Sequence, residues 1–317
     1  MKSQDSTETA RQKRETSRLH HIQEGVNELQ QWLVDVVRLG TAELYQQNET
    51  YWEERKARMD DAKAPGLSNF IGQLQEVFKQ QDWQEQALEE LGKLYLLTQT
   101  FHRLESLPDG LQAEIKSLVG INVKKEAVLA QSGIKDLWMV LGKKMEIQDR
   151  LDIQRTWLVG DQSGKLALII DFAFGNQEFE HQFKPGTAFE AELVYYPGSL
   201  QTRALLKEKP ERIYPMQGLT GWDSLQDFFS LHAQALSQNP FIFQFPFLVN
   251  HLKPVIIGEK WGLADKKSDY IPVHPLFNKT WELISICGQH PTTIFGEWDG
   301  KFLYPLGILR EKTWIGM

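Results

Sequence analysis

The chain has 317 residues, 41% hydrophobic and 24% charged, with a formal charge of −7 and a single cysteine. That length holds two or three compact domains, and the acidic balance excludes a chain-wide electrostatic grip on nucleic acid. One cysteine excludes an intrachain disulfide and a thiolate zinc cluster.

The amino terminus, MKSQDSTETARQKRE, is polar and mixed in charge, so residues 1–15 read as a disordered tail. It lacks the apolar stretch of a secretory signal, and FIFQFPFLV at 241–249 is too short and too broken by Pro246 to span a bilayer. The expectation is a cytoplasmic protein with no membrane contact. From residue 16, Ile22, Val26, Leu29, Leu33, Val36 and Val37 recur at helical spacing and predict a long amphipathic helix. YWEERKARMDDAK predicts a second helix, which Pro65 and Gly66 should stop. Ser68 or Asn69 then caps a third, with Phe70, Leu74, Val77 and Phe78 as its stripe. Residues 83–104 predict a fourth helix, with Leu88, Leu91, Leu94, Tyr95 and Thr98 on one side. A shorter one follows the LPDG turn, around 111–119. Residues 16–132 therefore read as a helical bundle.

The period then changes. TWLVG and KLALIIDF flank DQSG as one hairpin, and FEAELVYY and LQTRALLKE flank Pro197-Gly198 as another, giving an antiparallel β domain over 133–210. KEKPERIYP reads as a linker into a mixed α/β domain, 211–317. There WDSLQDFFSLHAQALSQNP is helical, and DYIPVHP, WELISICG and TIFGEWDGKFLYPLGILRE read as strands. Asp299-Gly300 fits the centre of a type I′ hairpin turn. The fold class is α+β.

No chemical motif stands out. GDQSGK at 160–165 has three residues between its glycines, and Leu166 where a phosphate-binding loop needs Ser or Thr, so it reads as a hairpin turn. The eight histidines show no paired spacing, and Cys287 sits in an apolar run as an inert thiol. Asp60-Asp61 reads as a solvated helix end, and Asp149, Arg150, Asp152 and Arg155 as a salt-bridged surface strip. Lys124, Lys125, Lys143 and Lys144 with Trp138 and Trp157 suggest a minor alternative, single-stranded nucleic acid on a β face. No catalytic residue, cofactor or metal is assigned. Trp298 and Asp299, flanking the tightest turn, are the candidate interaction residues.

One short stretch carries more than its chemistry. RMDDAKAPGL resembles a signature in the body of bacterial SWIM zinc-finger family proteins, after the finger itself. GVNELQQWLVDVVRLG, DRLDIQRTWLVGDQSGKLALIIDFA, PGTAFEAELVYYPGSLQTRALL and HPTTIFGEWDGKFLYPL resemble the same family in the same order, over about residues 20–310. Arg58, Asp60, Asp61, Pro65 and Gly66 are the signature residues, read as fixing a helix–helix corner. The family's finger uses a Cys-x-Cys pair and a later Cys-x-His, which this chain lacks, so the resemblance is to the post-finger body without zinc. It implies a non-enzymatic interaction or scaffold subunit accessory to a MoxR-type AAA+ ATPase and a von Willebrand A-type protein. A separate finger-bearing chain is a further implied partner.

Overall fold

The computed structural model describes residues 2–80, 82–148, 151–175, 177–219, 221–288 and 290–317. It holds an amino-terminal helical bundle followed by antiparallel β-sheets and a carboxy-terminal α/β region. These form two compact units: residues 1–123 with 197–199, and residues 124–196 with 200–317.

In the first unit, helices α1 (Lys2–Leu39), α2 (Ala42–Tyr45), α3 (Glu49–Asp61), α4 (Pro65–Phe78), α5 (Trp83–His102) and α6 (Asp109–Val119) enclose one apolar centre. The backbone of α1 is helical from Lys2, which corrects the expected tail. Ala, Gln, Lys, Arg and Glu in that stretch are good helix formers, and extending an existing helix avoids the cost of a new nucleus. Ile22, Val26, Leu29, Leu33 and Val36 are buried as the spacing predicts, joined by Trp32, whereas Val37 lies outside the stripe at 64% exposure. On α5 the stripe is Ala87, Leu91, Leu94, Thr98 and Phe101, which leaves Leu88 and Tyr95 exposed. Trp32, Trp52, Phe78 and Trp83 form a chain of ring contacts with centroids 5.1–6.4 Å apart. The Trp32 indole N–H donates to the Tyr51 hydroxyl at 2.7 Å.

The second unit begins with α7 (Lys125–Leu129) and contains two six-stranded sheets. The first is ordered β3-β2-β1-β4-β5, with β6 also on β4: β1 (Ile134–Gln148), β2 (Leu151–Gly160), β3 (Leu166–Phe174), β4 (Thr187–Tyr195), β5 (Ala204–Leu206) and β6 (Tyr214–Pro215). Both expected hairpins are present, as β2–β3 and β4–β5. The second sheet is ordered β12-β11-β10-β7-β8-β9: β7 (Phe245–Ile257), β8 (Lys260–Ala264), β9 (Tyr270–Pro272), β10 (Thr292–Trp298), β11 (Leu303–Arg310) and β12 (Thr313–Gly316). Helices α8 (Leu225–Gln238) and α9 (Thr280–Cys287) pack on its outer face.

Two expectations fail in this unit. Residues 133–210 and 211–317 are not separate domains, because the sheets share a core of Met139, Leu141, Trp157, Phe295, Leu306 and Trp314. Two glycines let the sheets approach this closely. A Cβ on Gly142 would lie 2.5 Å from that of Leu306, and one on Gly307 would lie 2.5 Å from the Leu141 carbonyl oxygen. The Trp314 indole donates to that same carbonyl at 2.8 Å. Second, WELISICG is the helix α9 and not a strand. Its β-branched residues suit either state, and burying Leu283 and Cys287 on one helical side decides the matter.

Candidate functional site

The signature stretch is a corner, as expected, but it is built differently. Helix α3 ends before Pro65: the Lys63 amide bonds the Asp60 carbonyl at 2.9 Å and the Ala64 amide bonds that of Met59 at 2.9 Å. This is a Schellman motif with Lys63 at φ +61°, the left-handed position usually held by glycine. Pro65 stops nothing. It is the first residue of α4, where its missing N–H is harmless and its fixed φ suits the helix. Ser68 and Asn69 are consequently inside the helix and cap nothing; the Ser68 hydroxyl donates to Asp60 Oδ2 at 3.2 Å.

Gly66 has ordinary helical φ. A Cβ there would fall 1.9 Å from the carbonyl oxygen of Leu118, so glycine is required for the close approach of α4 to the end of α6. At that end Gly120 takes φ +106° in its own Schellman motif, and a Cβ on it would strike the Pro65 ring at 2.7 Å. Arg58 bonds Glu28 on α1. Asp61 is exposed at the last turn of α3. An open groove of about 680 Å³ runs beside the corner, lined by Lys13, Ser17, Arg18, His21, Asp60, Lys63 and Pro65.

The turn after β10 corrects the interaction reading. Trp298 is 6% exposed and faces α8, with its ring 5.7 Å from Phe229 and 6.4 Å from Phe228. It is a core residue, because the alternation of β10 that turns Glu297 toward the first sheet turns Trp298 toward the helix. Asp299 serves the turn: its Oδ1 accepts the amides of Lys301 and Phe302, both at 2.7 Å. Only Gly300 has positive φ, and Leu303 pairs with Trp298 across a four-residue loop, so the turn is not type I′.

Between the two sheets lies a charged cluster that sequence spacing does not reveal. Glu297, 3% exposed, accepts two bonds from Arg155 (Nε at 3.1 Å, Nη2 at 2.6 Å) and one from the Trp157 indole at 2.8 Å. Lys144 stands 3.6 Å from Glu297 and 4.4 Å from the centre of the Tyr304 ring, and Glu146 pairs with both Lys144 and Arg155. Burial, with the Glu297 and Glu146 carboxylates adding to it, pushes the Tyr304 hydroxyl up, so that it stays protonated. Arg155 is thus a buried partner and not part of a surface strip; Asp149 and Arg150 lie outside the described residues. Trp138 and Trp157 are also buried, which removes the rings of the nucleic-acid alternative from the surface.

Other polar groups are similarly consumed. The amides of Gln162 and Ser163, in the DQSG turn, donate to Asp136 at 3.1 and 2.8 Å, so a carboxylate of the chain occupies the place a phosphate would take. Burial pushes the Asp136 carboxyl up, but these bonds outweigh it and hold it below its ordinary value. Cys287 is fully buried, and its thiol is pushed up by that burial, which suits the inert reading.

Among the described residues, one group has metal-ligand proximity: Asp171, Glu180 and His181, which the histidine spacing did not flag. Each donor already has a partner. His181 Nδ1 lies 2.8 Å from Asp171, Gln154 donates to Asp171 at 3.4 Å, and Glu180 pairs with Lys125 at 2.9 Å. The group ties the loop before β4 to β3.

The far end of the β1–β2–β3 hairpin exposes Ile147 (80%), Phe174 (61%), Met145 (52%) and Phe172 (49%). Register places Phe172 opposite Ile153 and Phe174 opposite Leu151 on one face, with Met145 and Ile147 on the other. Sequence reading missed this surface, since a strand apolar on both faces looks like an interior one.

Residues 17–119 match the family model of a SWIM-associated four-helix bundle domain, which includes the whole signature corner. The match supports a SWIM-family relationship. No curated protein and no solved structure matches the chain. Among the described residues, no helix is long and apolar enough to cross a membrane.

Proposed function

We propose that this chain is a non-enzymatic interaction protein, equivalent to the post-finger body of a SWIM-type protein. In this reading it is accessory to a MoxR-type AAA+ ATPase and a von Willebrand A-type partner, with any zinc finger supplied by a separate chain. The carrying observation is the apolar hairpin end, where four large side chains on two faces stand in solvent while the acids and bases nearer its root are paired with one another. Exposed apolar patches of this kind mark protein contact surfaces. The single cysteine, buried at α9, supports the absence of a finger within these residues. The burial of Trp138 and Trp157 gives no support to nucleic-acid stacking on this face.

The test is co-purification of the chain from its native host, beside a Phe172→Ser, Phe174→Ser double variant. The reading expects a MoxR-type ATPase or von Willebrand A-type protein with the wild-type chain, lost in the variant at unchanged thermal stability. Equal recovery with both chains would overturn the role of the hairpin. A wild-type dimer converted to monomer by the variant would reassign the surface to self-association.

A further inference from the structure

The groove beside the signature corner has a charge opposite to that of its surroundings. Acids outnumber bases in residues 1–123, yet among the described residues Lys13, Arg18, His21 and Lys63 line the groove against one carboxylate, Asp60. Asp60 is itself engaged by the Ser68 hydroxyl. Arg18 uses one Nη2 bond on the Gly120 carbonyl at 2.9 Å, and among the described residues neither Lys13, Arg18 nor Lys63 has an acidic partner. Three cations are left facing the groove without an acidic partner among the described residues.

Lys63 adds an independent observation. Two Schellman motifs meet at this corner, and the one closing α6 uses glycine at its left-handed position, Gly120. The one closing α3 uses Lys63 at φ +61°, although glycine would hold that backbone without strain. Strained positions of this kind are retained where the side chain is needed. Here the side chain lines the groove.

We propose that this groove binds an acidic polypeptide segment of a partner protein. Carboxylates at intervals along an extended chain would meet Lys13, Arg18 and Lys63, while apolar residues between them would lie on the lysine stems and the Pro65 ring. Nucleic acid fits less well. Among the described residues the groove has no Phe, Tyr or Trp on which a base could stack. This surface is distinct from the apolar hairpin, so either assignment can fail alone.

The experiment measures fluorescence anisotropy of a short labelled peptide of alternating Glu and Leu against the full chain at low and high salt. The matched Gln–Leu peptide and a single-stranded oligonucleotide of equal charge serve as competitors. Three outcomes are expected: binding that weakens steeply with salt, no competition by the Gln–Leu peptide, and about tenfold weaker binding for Lys13→Glu combined with Lys63→Glu. Lys63→Gly is the deciding variant. It relieves the left-handed strain, so its melting temperature should hold or rise while affinity falls about fivefold. Wild-type affinity in both variants would overturn the proposal. So would equal binding of the Gln–Leu peptide, or tighter binding of the oligonucleotide with the same dependence on Lys63.

Discussion

The hairpin of β1, β2 and β3 carries buried charge at one level and exposed apolar surface at another. Near its root, Arg155 and Glu297 sit between the sheets as a two-pronged ion pair, with the Trp157 indole on the same carboxylate. At its far end, Phe172, Phe174, Met145 and Ile147 stand in solvent. The usual distribution is inverted at both levels, for different reasons. A buried pair is weak support for stability but demands one geometry, because removing either partner leaves a charge without water or counter-charge. An exposed apolar end contributes little to folding and leaves surface for a partner.

The largest expected effect tests the root. Replacing Glu297 by Ala strands Arg155 and the Trp157 N–H, at an expected loss of about 4 kcal/mol by denaturant titration. Combining it with Arg155→Met should recover part of that loss, since the stranded guanidinium is removed while the Trp157 N–H stays unpaired. A double variant as unstable as Glu297→Ala would mean that packing, and not the stranded charge, dominates.

Next comes the opposite face of the same strand. Trp298→Ala empties a core site against Phe228 and Phe229, and about 3 kcal/mol should be lost. A change under about 1 kcal/mol would contradict the core placement and reopen an interface role.

Asp136 gives a smaller, pH-dependent effect. Its carboxyl is held below its ordinary value in the folded chain, so its contribution is complete above the unfolded carboxylate range, near pH 4, and is lost as pH falls through the folded value. Asp136→Asn should cost about 2 kcal/mol at pH 7. Its stability difference from wild type should shrink as pH drops below about 4. A difference that stays constant into acid would show that the turn does not depend on the ionised group.

The smallest effect belongs to the hairpin end. Phe172→Ser with Phe174→Ser should alter stability by less than about 0.5 kcal/mol, because neither ring is in a core. A loss comparable to that at Trp298 would show that the tip packs on something within the chain and would end the contrast.

How far these features could be read in advance depends on range. The bundle was legible because its signals are local: a stripe such as Ile22–Val26–Leu29–Leu33 needs only a 3.6-residue period, and RMDDAKAPGL places a break between two such stripes. The hairpins were legible by the same logic of period and turn residues. The α9 segment was not, since ELISIC is apolar throughout and carries no period that separates helix from strand. Nor were the roles within the corner: Pro65, expected to stop the helix before it, starts the next one, and Gly66 is fixed by a carbonyl fifty-two residues away, at Leu118.

By itself the sequence determined the class of the main bundle helices and of both hairpins, the change from helical to strand period near residue 133, and the likeness of the corner to a SWIM-type signature. Tertiary structure alone decided that the second and third expected domains share one core, that Trp298 points inward, that Arg155 is buried, and that Phe172 and Phe174 remain outside. The physical reason is that periodicity states which residues share a face, but not which face meets a neighbour. That choice rests on the summed burial and pairing of groups far apart in the chain, such as Arg155 with Glu297 and Trp314 with Leu141, and no local pattern encodes it.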